Sequence, residues 1–457
     1  MRQLLLLSVL LCFGLHLSLK AQMPMNIQLA LQDTLQDLGA GYKFKGLTVA
    51  VKNNYGSWAS TYGESHAGTP LDTNMLIGIG SNTKTFISVC ILKLVQNGQL
   101  SLNDSIGTYI PTYPNVNGAV TIKQLLNHTS GIASYTGNQN FWNVFNMNVS
   151  KLWSKDEILS FYVTTPSFAP GASWEYSNTN YLIAGLILEN KLSKPVHEII
   201  RDSILTPLGM TKTFFPPYET ATQTYAHFWS DINGDNLLDE VCDWNSPGSS
   251  ILPAELNSCA DAAGALVSTP SDITRFWSGL MNGQLITKST LVNEMLQWTS
   301  IGGTSSYGLG IFKDIYFGNV VFDHGGTWIG QIHSNVADTT RGIYISVLSN
   351  QDSLMNTYTD KVVKALYKTM LSTYPTNTTS VNSTATLTCY PNPVFSTLHL
   401  TSDEAIQYVT LHTITGKQVL ESEFKNTLDI SGLPSGIYLL KAQTEKGMLV
   451  KKITKSE

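Results

Sequence analysis

Apolar and polar positions along the chain mark out its elements before any chemistry is considered. Gly46 to Val51 and Gly56 to Tyr62 are two β-prone stretches joined across a turn, and they predict an N-terminal hairpin. Phe86 to Leu94 carries apolar residues at the spacing of a largely buried helix, which Asn97-Gly98 stops. Thr121 is a natural N-cap for a second helix running to Leu126. Further on, Gly310-Ile311-Phe312, Val320-Val321-Phe322 and Ile343 to Leu348 read as strands, and Thr359 to Leu371 as a closing helix. Strands at both ends with helices between them predict an α/β (α+β) domain. Its antiparallel sheet is flanked by helices, the first and last strands pair, and a helical insertion forms a second lobe.

The pattern changes after this region. Residues 375–388 are rich in Thr, Ser and Asn and have little apolar surface to bury, as expected of a linker. Beyond it, Leu398 to Leu400, Tyr408 to His412, Gln418 to Leu420, Leu428 to Ile430, Ile437 to Ala442 and Met448 to Ile453 are short strands separated by turns. Regular spacing of this kind predicts a small all-β sandwich, residues 389–457, separate from a first domain of residues 23–374.

Composition narrows the setting. Of 457 residues, 42% are hydrophobic and 13% charged, a balance that supports a sizeable core and argues against disorder. The formal net charge of −5 gives no electrostatic reason to expect a nucleic acid. Arg2, the apolar run Leu4 to Leu19 and the following Lys20-Ala21-Gln22 read as a secretory signal peptide over residues 1–21. Cys12 lacks the small preceding residue of a lipid-attachment site, and no later run is long and apolar enough to span a bilayer. An oxidising compartment leaves a Cys242–Cys259 disulfide open, while Cys90 in its apolar helix reads as a small buried hydrophobe. No Cys/His cluster has the local spacing of zinc ligands.

Three stretches carry candidate chemistry. In Gly80-Ser81-Asn82-Thr83-Lys84, residues i and i+3 share a helical face, so the Lys84 amine can reach the Ser81 hydroxyl, which is a poor nucleophile without a base. Ser81 also opens the helix, where free backbone N–H groups favour an oxyanion. Tyr176-Ser177-Asn178 follows the Pro170-Gly171 turn; a phenol near a lysine can act as base or proton relay, and Asn178 supplies an amide to orient the lysine and a substrate carbonyl. In His324-Gly325-Gly326-Thr327, glycine lets a backbone edge approach an acyl group. The Thr327 N–H is then a second oxyanion donor, and His324 a group for proton transfer or for a substrate carboxylate.

Together, in this order, these stretches resemble the serine β-lactamase-related family of class C β-lactamases, D-Ala-D-Ala carboxypeptidases, D-aminopeptidases and certain esterases. Its S-x-x-K, Y-x-N and K/H-x-G motifs are matched by Ser81/Lys84, Tyr176/Asn178 and His324/Gly326. Thr121 to Ile132, Leu205 to Met210, Ala262 to Asp272 and Tyr307 to Gly310 are similar to further family segments. The resemblance implies a cofactor-free serine hydrolase that forms an acyl-enzyme on Ser81 and acts on a small-molecule or peptide amide, ester or lactam. The alternatives are a true class C-like β-lactamase and a non-catalytic penicillin-binding sensor. One departure matters: class C enzymes resemble K-T-G where this chain has His324-Gly325-Gly326. A neutral imidazole holds a carboxylate less well than an ammonium, which shifts the expectation towards a peptidase, amidase or esterase.

Two features lie outside this constellation. Asp231, Asn233, Asp235 and Asp239 alternate as in a calcium loop, but Gly234 stands one place early and the closing bidentate glutamate is missing, so a polar surface loop is the plainer reading. The tail, with Tyr390-Pro391-Asn392-Pro393-Val394, Gly416-Lys417, Leu433 to Tyr438 and Lys451-Lys452-Ile453, resembles a type IX secretion C-terminal sorting domain. That resemblance implies the type IX machinery as a partner and delivery to the cell surface or medium, with no transmembrane anchor.

Overall fold

The computed structural model describes residues 23–148, 150–231, 238–241, 253–352, 358–373, 386–403, 405–413, 418–423, 426–444 and 447–456. The expected signal peptide, most of the Thr/Ser/Asn-rich segment, Cys242, Asn233 and Asp235 lie outside them.

The first unit, which holds residues 35–366, is built on one large antiparallel sheet. Its strands are β1 (Gly46–Asn53), β2 (Gly56–His66) and β3 (Thr69–Pro70), then β8 (Thr299–Ser300), β9 (Ser306–Tyr307), β10 (Phe312–Tyr316), β11 (Asn319–Asp323), β12 (Gly326–Trp328), β13 (Gln331–Asp338) and β14 (Ile343–Ser349). Across the sheet they run β3-β2-β1-β14-β13-β11-β10-β9-β8, with β12 on β13. The pairing of first and last strands is observed: Leu47 lies opposite Ser349 and Lys52 opposite Tyr344. β13 and β14 are buried along nearly their whole length, whereas β2 is open on one face. Central strands covered on both sides explain the continuous apolar run of Ile343 to Leu348. The helix Pro270–Met281 packs on β1 and β14.

The helical lobe centres on two segments, Thr83–Gln96 and Asn178–Leu192. In the second, every residue from Thr179 to Leu188 is buried, so it is enclosed rather than amphipathic. Thr121 caps Ile122–Leu126 through a full capping box with Gln124. Two short pairs complete this unit: β4 (Ile77–Gly78) with β7 (Val267–Ser268), and β5 (Phe228–Ser230) with β6 (Asp239–Val241). One expected strand starts late. Gly310 and Ile311 precede β10, because Gly310 turns at φ +73° and its carbonyl accepts from the Thr85 hydroxyl.

The tail folds as two small sheets over their own core. β15 (Leu387–Tyr390), β16 (Thr397–Ser402) and β19 (Thr427–Asp429) form one; β17 (Ile406–Thr413), β18 (Gln418–Glu423), β20 (Gly436–Thr444) and β21 (Gly447–Lys455) form the other. Leu398, Leu400, Val409, Leu411, Leu440 and Ile453 are fully buried between them. Leu387 and Thr388, expected in the linker, already belong to β15, because Leu387 fills this core. Among the described residues no helix is long and apolar enough to cross a membrane.

Candidate active site

Ser81 sits in a tight turn, Gly80–Asn82, that leads directly into Thr83–Gln96. Gly80 has φ +49°, and a Cβ there would lie 2.8 Å from the Thr327 nitrogen. A Cβ on Gly326 would lie 2.0 Å from the Ile79 oxygen and 2.6 Å from the Ser81 nitrogen. Only glycine fits at these two places, so β12 runs against the turn and brings the Ser81 and Thr327 amides together. Two converging N–H groups at a helix start form an anion-binding corner.

Lys84 lies one helical turn on and is completely buried. Its Nζ is 3.0 Å from Ser81 Oγ, 2.7 Å from Asn178 Oδ1 and 2.6 Å from the Ala263 carbonyl oxygen. Burial holds its pKa well below that of a free lysine. A neutral amine has two N–H bonds and one lone pair. The Asn178 and Ala263 oxygens can only accept, so each takes an N–H bond, and in the neutral amine this leaves the lone pair facing Ser81 Oγ. Asn178 is itself fixed, since its Nδ2 donates to Thr136 Oγ1 at 3.0 Å and its backbone N–H to Ser134 Oγ at 3.1 Å. Its amide oxygen therefore orients the lysine, while one of the two Nδ2 hydrogens is taken by Thr136.

Tyr176 reaches the same hydroxyl, forming a side-chain hydrogen bond with Ser81 while its ring lies 4.9 Å from Lys84 Nζ. Burial raises the phenol above its ordinary pKa, so it stays protonated. A protonated phenol at this place suits proton relay, one of the two roles expected for Tyr176.

His324 is 1% exposed and both ring nitrogens are occupied. Nδ1 lies 2.8 Å from the Gly325 carbonyl, which can only accept, so Nδ1 carries the proton and Nε2 accepts from the Tyr307 hydroxyl at 3.0 Å. Burial, reinforced by Lys84, pushes its pKa down to about 3. The carboxylate-binding role expected from the sequence does not fit a neutral, enclosed imidazole. It packs beneath the site instead, between Tyr307 and Phe312.

Three contributors had no assigned role in the sequence reading. His128, at φ +63°, is buried against the Tyr176 ring at 4.3 Å, and its Nδ1 accepts from the Ser177 backbone N–H. Tyr307 fixes His324, and Ala263 offers only a carbonyl. His128 and Tyr307 lie inside family-like segments, so position was their one signal; a backbone carbonyl leaves none. Of the calcium-loop candidates, Asn233 and Asp235 lie outside the described residues and Asp239 is described in backbone only. Cys259 is a buried thiol, free among the described residues, that donates to the Leu256 carbonyl; Cys242 lies outside them.

Comparison with known proteins gives the family of each part of the chain. Residues 31–367 match the beta-lactamase family model, and residues 388–456 match that of the secretion system C-terminal sorting domain. Penicillin-binding protein 4* of Bacillus subtilis (strain 168) is 26% identical over 323 residues, 67% of this chain and 68% of that protein. Protein flp of Staphylococcus aureus (strain MRSA252) is 40% identical over 144 residues, 30% of this chain but only 27% of that protein's length. A D-stereospecific amidohydrolase from Streptomyces sp. superposes with a TM-score of 0.63 at 27% identity, over 74% of this chain and 98% of that one.

Proposed function

Because the chain belongs to the beta-lactamase family over residues 31–367, we propose that it is a serine acyl hydrolase with Ser81 as nucleophile and Lys84 as its base. The observation that carries this reading is the placement of the buried Lys84 Nζ 3.0 Å from Ser81 Oγ, with the Asn178 and Ala263 oxygens at 2.7 Å and 2.6 Å to take its N–H bonds. Its lone pair takes the Ser81 proton as Oγ attacks the substrate carbonyl. The developing oxyanion rests on the Ser81 and Thr327 N–H groups. Tyr176, hydrogen-bonded to Ser81, hands a proton to the departing amine or alcohol and recovers one from Lys84. Water then releases the acyl group from Ser81.

Substrate class follows from charge. With His324 neutral and enclosed, the third motif offers no cation to a carboxylate. Uncharged amides and esters therefore suit the site better than peptides or lactams that dock through a carboxylate. The similarity to a D-stereospecific amidohydrolase supports amides of D-amino acids within that class. The tail supports delivery to the cell surface or medium through the type IX machinery.

The test is intact-mass analysis after exposure to a fluorophosphonate, with D-amino-acid amides, aryl esters and a chromogenic cephalosporin as a turnover panel. Wild type should gain one adduct and turn over an amide or ester, and Ser81→Ala should do neither. Labelling of Ser81→Ala at the wild-type rate would refute the assignment. Labelling of wild type without turnover of any panel member would favour the non-catalytic sensor.

A further inference from the structure

Outside the three catalytic motifs, the side chains of His66, His227 and Glu240 converge at the end of β2. His66 is the last residue of β2, His227 immediately precedes β5, and Glu240 lies on β6 opposite Trp229. The two imidazoles stack with centroids 3.9 Å apart and planes 21° from parallel. His227 Nδ1 is 2.6 Å from Glu240 Oε1. One ligand atom from each of the three lies within 4.8 Å of the other two.

We propose that His66, His227 and Glu240 bind a zinc ion that clamps the β5–β6 hairpin to the end of β2. Zinc bonds of about 2.0–2.2 Å place tetrahedral ligand atoms roughly 3.4 Å apart, so the set closes when an imidazole turns out of the stack to aim its ring nitrogen at the ion. Two imidazoles and one carboxylate match zinc and its late first-row neighbours, not calcium or magnesium, which want all-oxygen shells. Three protein ligands leave the fourth position to water. The backbone under both histidines is already fixed. The His227 N–H donates to Ser65 Oγ at 2.9 Å, the Trp229 indole N–H donates to the Ser65 carbonyl at 3.0 Å, and Asn350 Nδ2 donates to the His227 carbonyl at 2.8 Å. The ion would therefore meet residues held in place rather than have to gather them. His227 and Glu240 side chains keep 14% and 32% of their surface exposed, which leaves a path for entry.

The test uses the full chain, stripped with a chelator, dialysed against zinc and assayed by elemental mass spectrometry, with cobalt as the optical probe. Wild type should hold about one zinc per chain and show the intense visible bands of tetrahedral cobalt. His227→Ala and Glu240→Gln should bind zinc at least about tenfold more weakly and lose those bands. The control His197→Ala, whose ring stacks on Tyr218 elsewhere, should bind as wild type does. Glu240→Gln changes no volume, and circular dichroism verifies that it folds. Zinc should also raise the wild-type melting temperature but not that of either site variant. Failure of wild type to retain zinc, or equal retention by His227→Ala and Glu240→Gln, would overturn the site.

Discussion

Lys155 grips Asp261 with its Nζ 2.9 Å from both carboxylate oxygens, two residues before the Ala263 carbonyl that accepts from Lys84 Nζ. Asp261 holds a positive φ of +36° and its side chain is 3% exposed. Burial opposes the lysine charge, but Asp261 and Glu189 overcome it and raise its pKa. The pair thus anchors the turn that aims Ala263 at the active site. Lys155→Met leaves a buried carboxylate without its partner. It should cost about 3 kcal/mol in chemical denaturation and slow acylation as the Ala263 carbonyl drifts.

Lys84 gives a pH test whose sign is fixed by its environment. Its folded pKa is lowered by burial, so between that lowered pKa and 10.5 the unfolded chain binds a proton that the folded chain does not. Folding stability attached to this group therefore rises with pH up to 10.5. Lys84→Met should be more stable than wild type at neutral pH, with the gap narrowing as pH approaches 10.5 in paired denaturation curves. The wild-type acylation rate should rise with pH and level off well short of the free-lysine range. A rate still climbing through 10.5 would argue against a neutral amine as base.

Gly326→Ala puts a carbon 2.0 Å from the Ile79 oxygen and 2.6 Å from the Ser81 nitrogen. β12 must retreat, and the paired amides separate. The expected loss in kcat is about 10²–10³-fold, that of removing one oxyanion donor. Gly41→Ala, with no heavy atom within 4 Å, should leave the steady-state constants unchanged.

His324 should act through position, not charge. Tyr307→Phe removes the donor to Nε2 and leaves a buried acceptor unpaired, at a cost of about 1–3 kcal/mol. With the folded pKa of His324 near 3 against an ordinary 6.5, acidification protonates the unfolded chain first, so its contribution to stability falls as pH drops from 6.5 towards 3. His333, also lowered to about 3 by burial, adds to the same loss. Activity across pH 5–8 should show no step from His324. A step that vanished in His324→Gln would restore the carboxylate-binding role.

Much of this architecture was legible because local patterns and tertiary needs coincide. The β1–β2 hairpin, the Thr121 capping box, the buried Ile343 to Leu348 strand and the tail strands each carry their own signal in side-chain periodicity. Ser81, Lys84, Tyr176 and Asn178 were readable because reactive side chains must be specific residue types. What escaped depends on contacts that no local pattern encodes. The Ala263 carbonyl is independent of its side chain, and His324 became a buried strut only once Tyr307 was placed beside it. The His66, His227 and Glu240 cluster has no short spacing to notice, since three separate turns of the backbone assemble it.

The seating of β14 between β1 and β13 governs when the enzyme can first exist. Leu47 must find Ser349, closing a loop on the order of 300 residues, before the sheet beneath Ser81 is whole. Contacts of such high sequence separation slow folding, and a chain still missing its last strand holds its nucleophile on an unfinished floor. The Ser81 turn therefore gains its finished sheet late, only once the chain has run on through residue 349 and β14 has paired with β1.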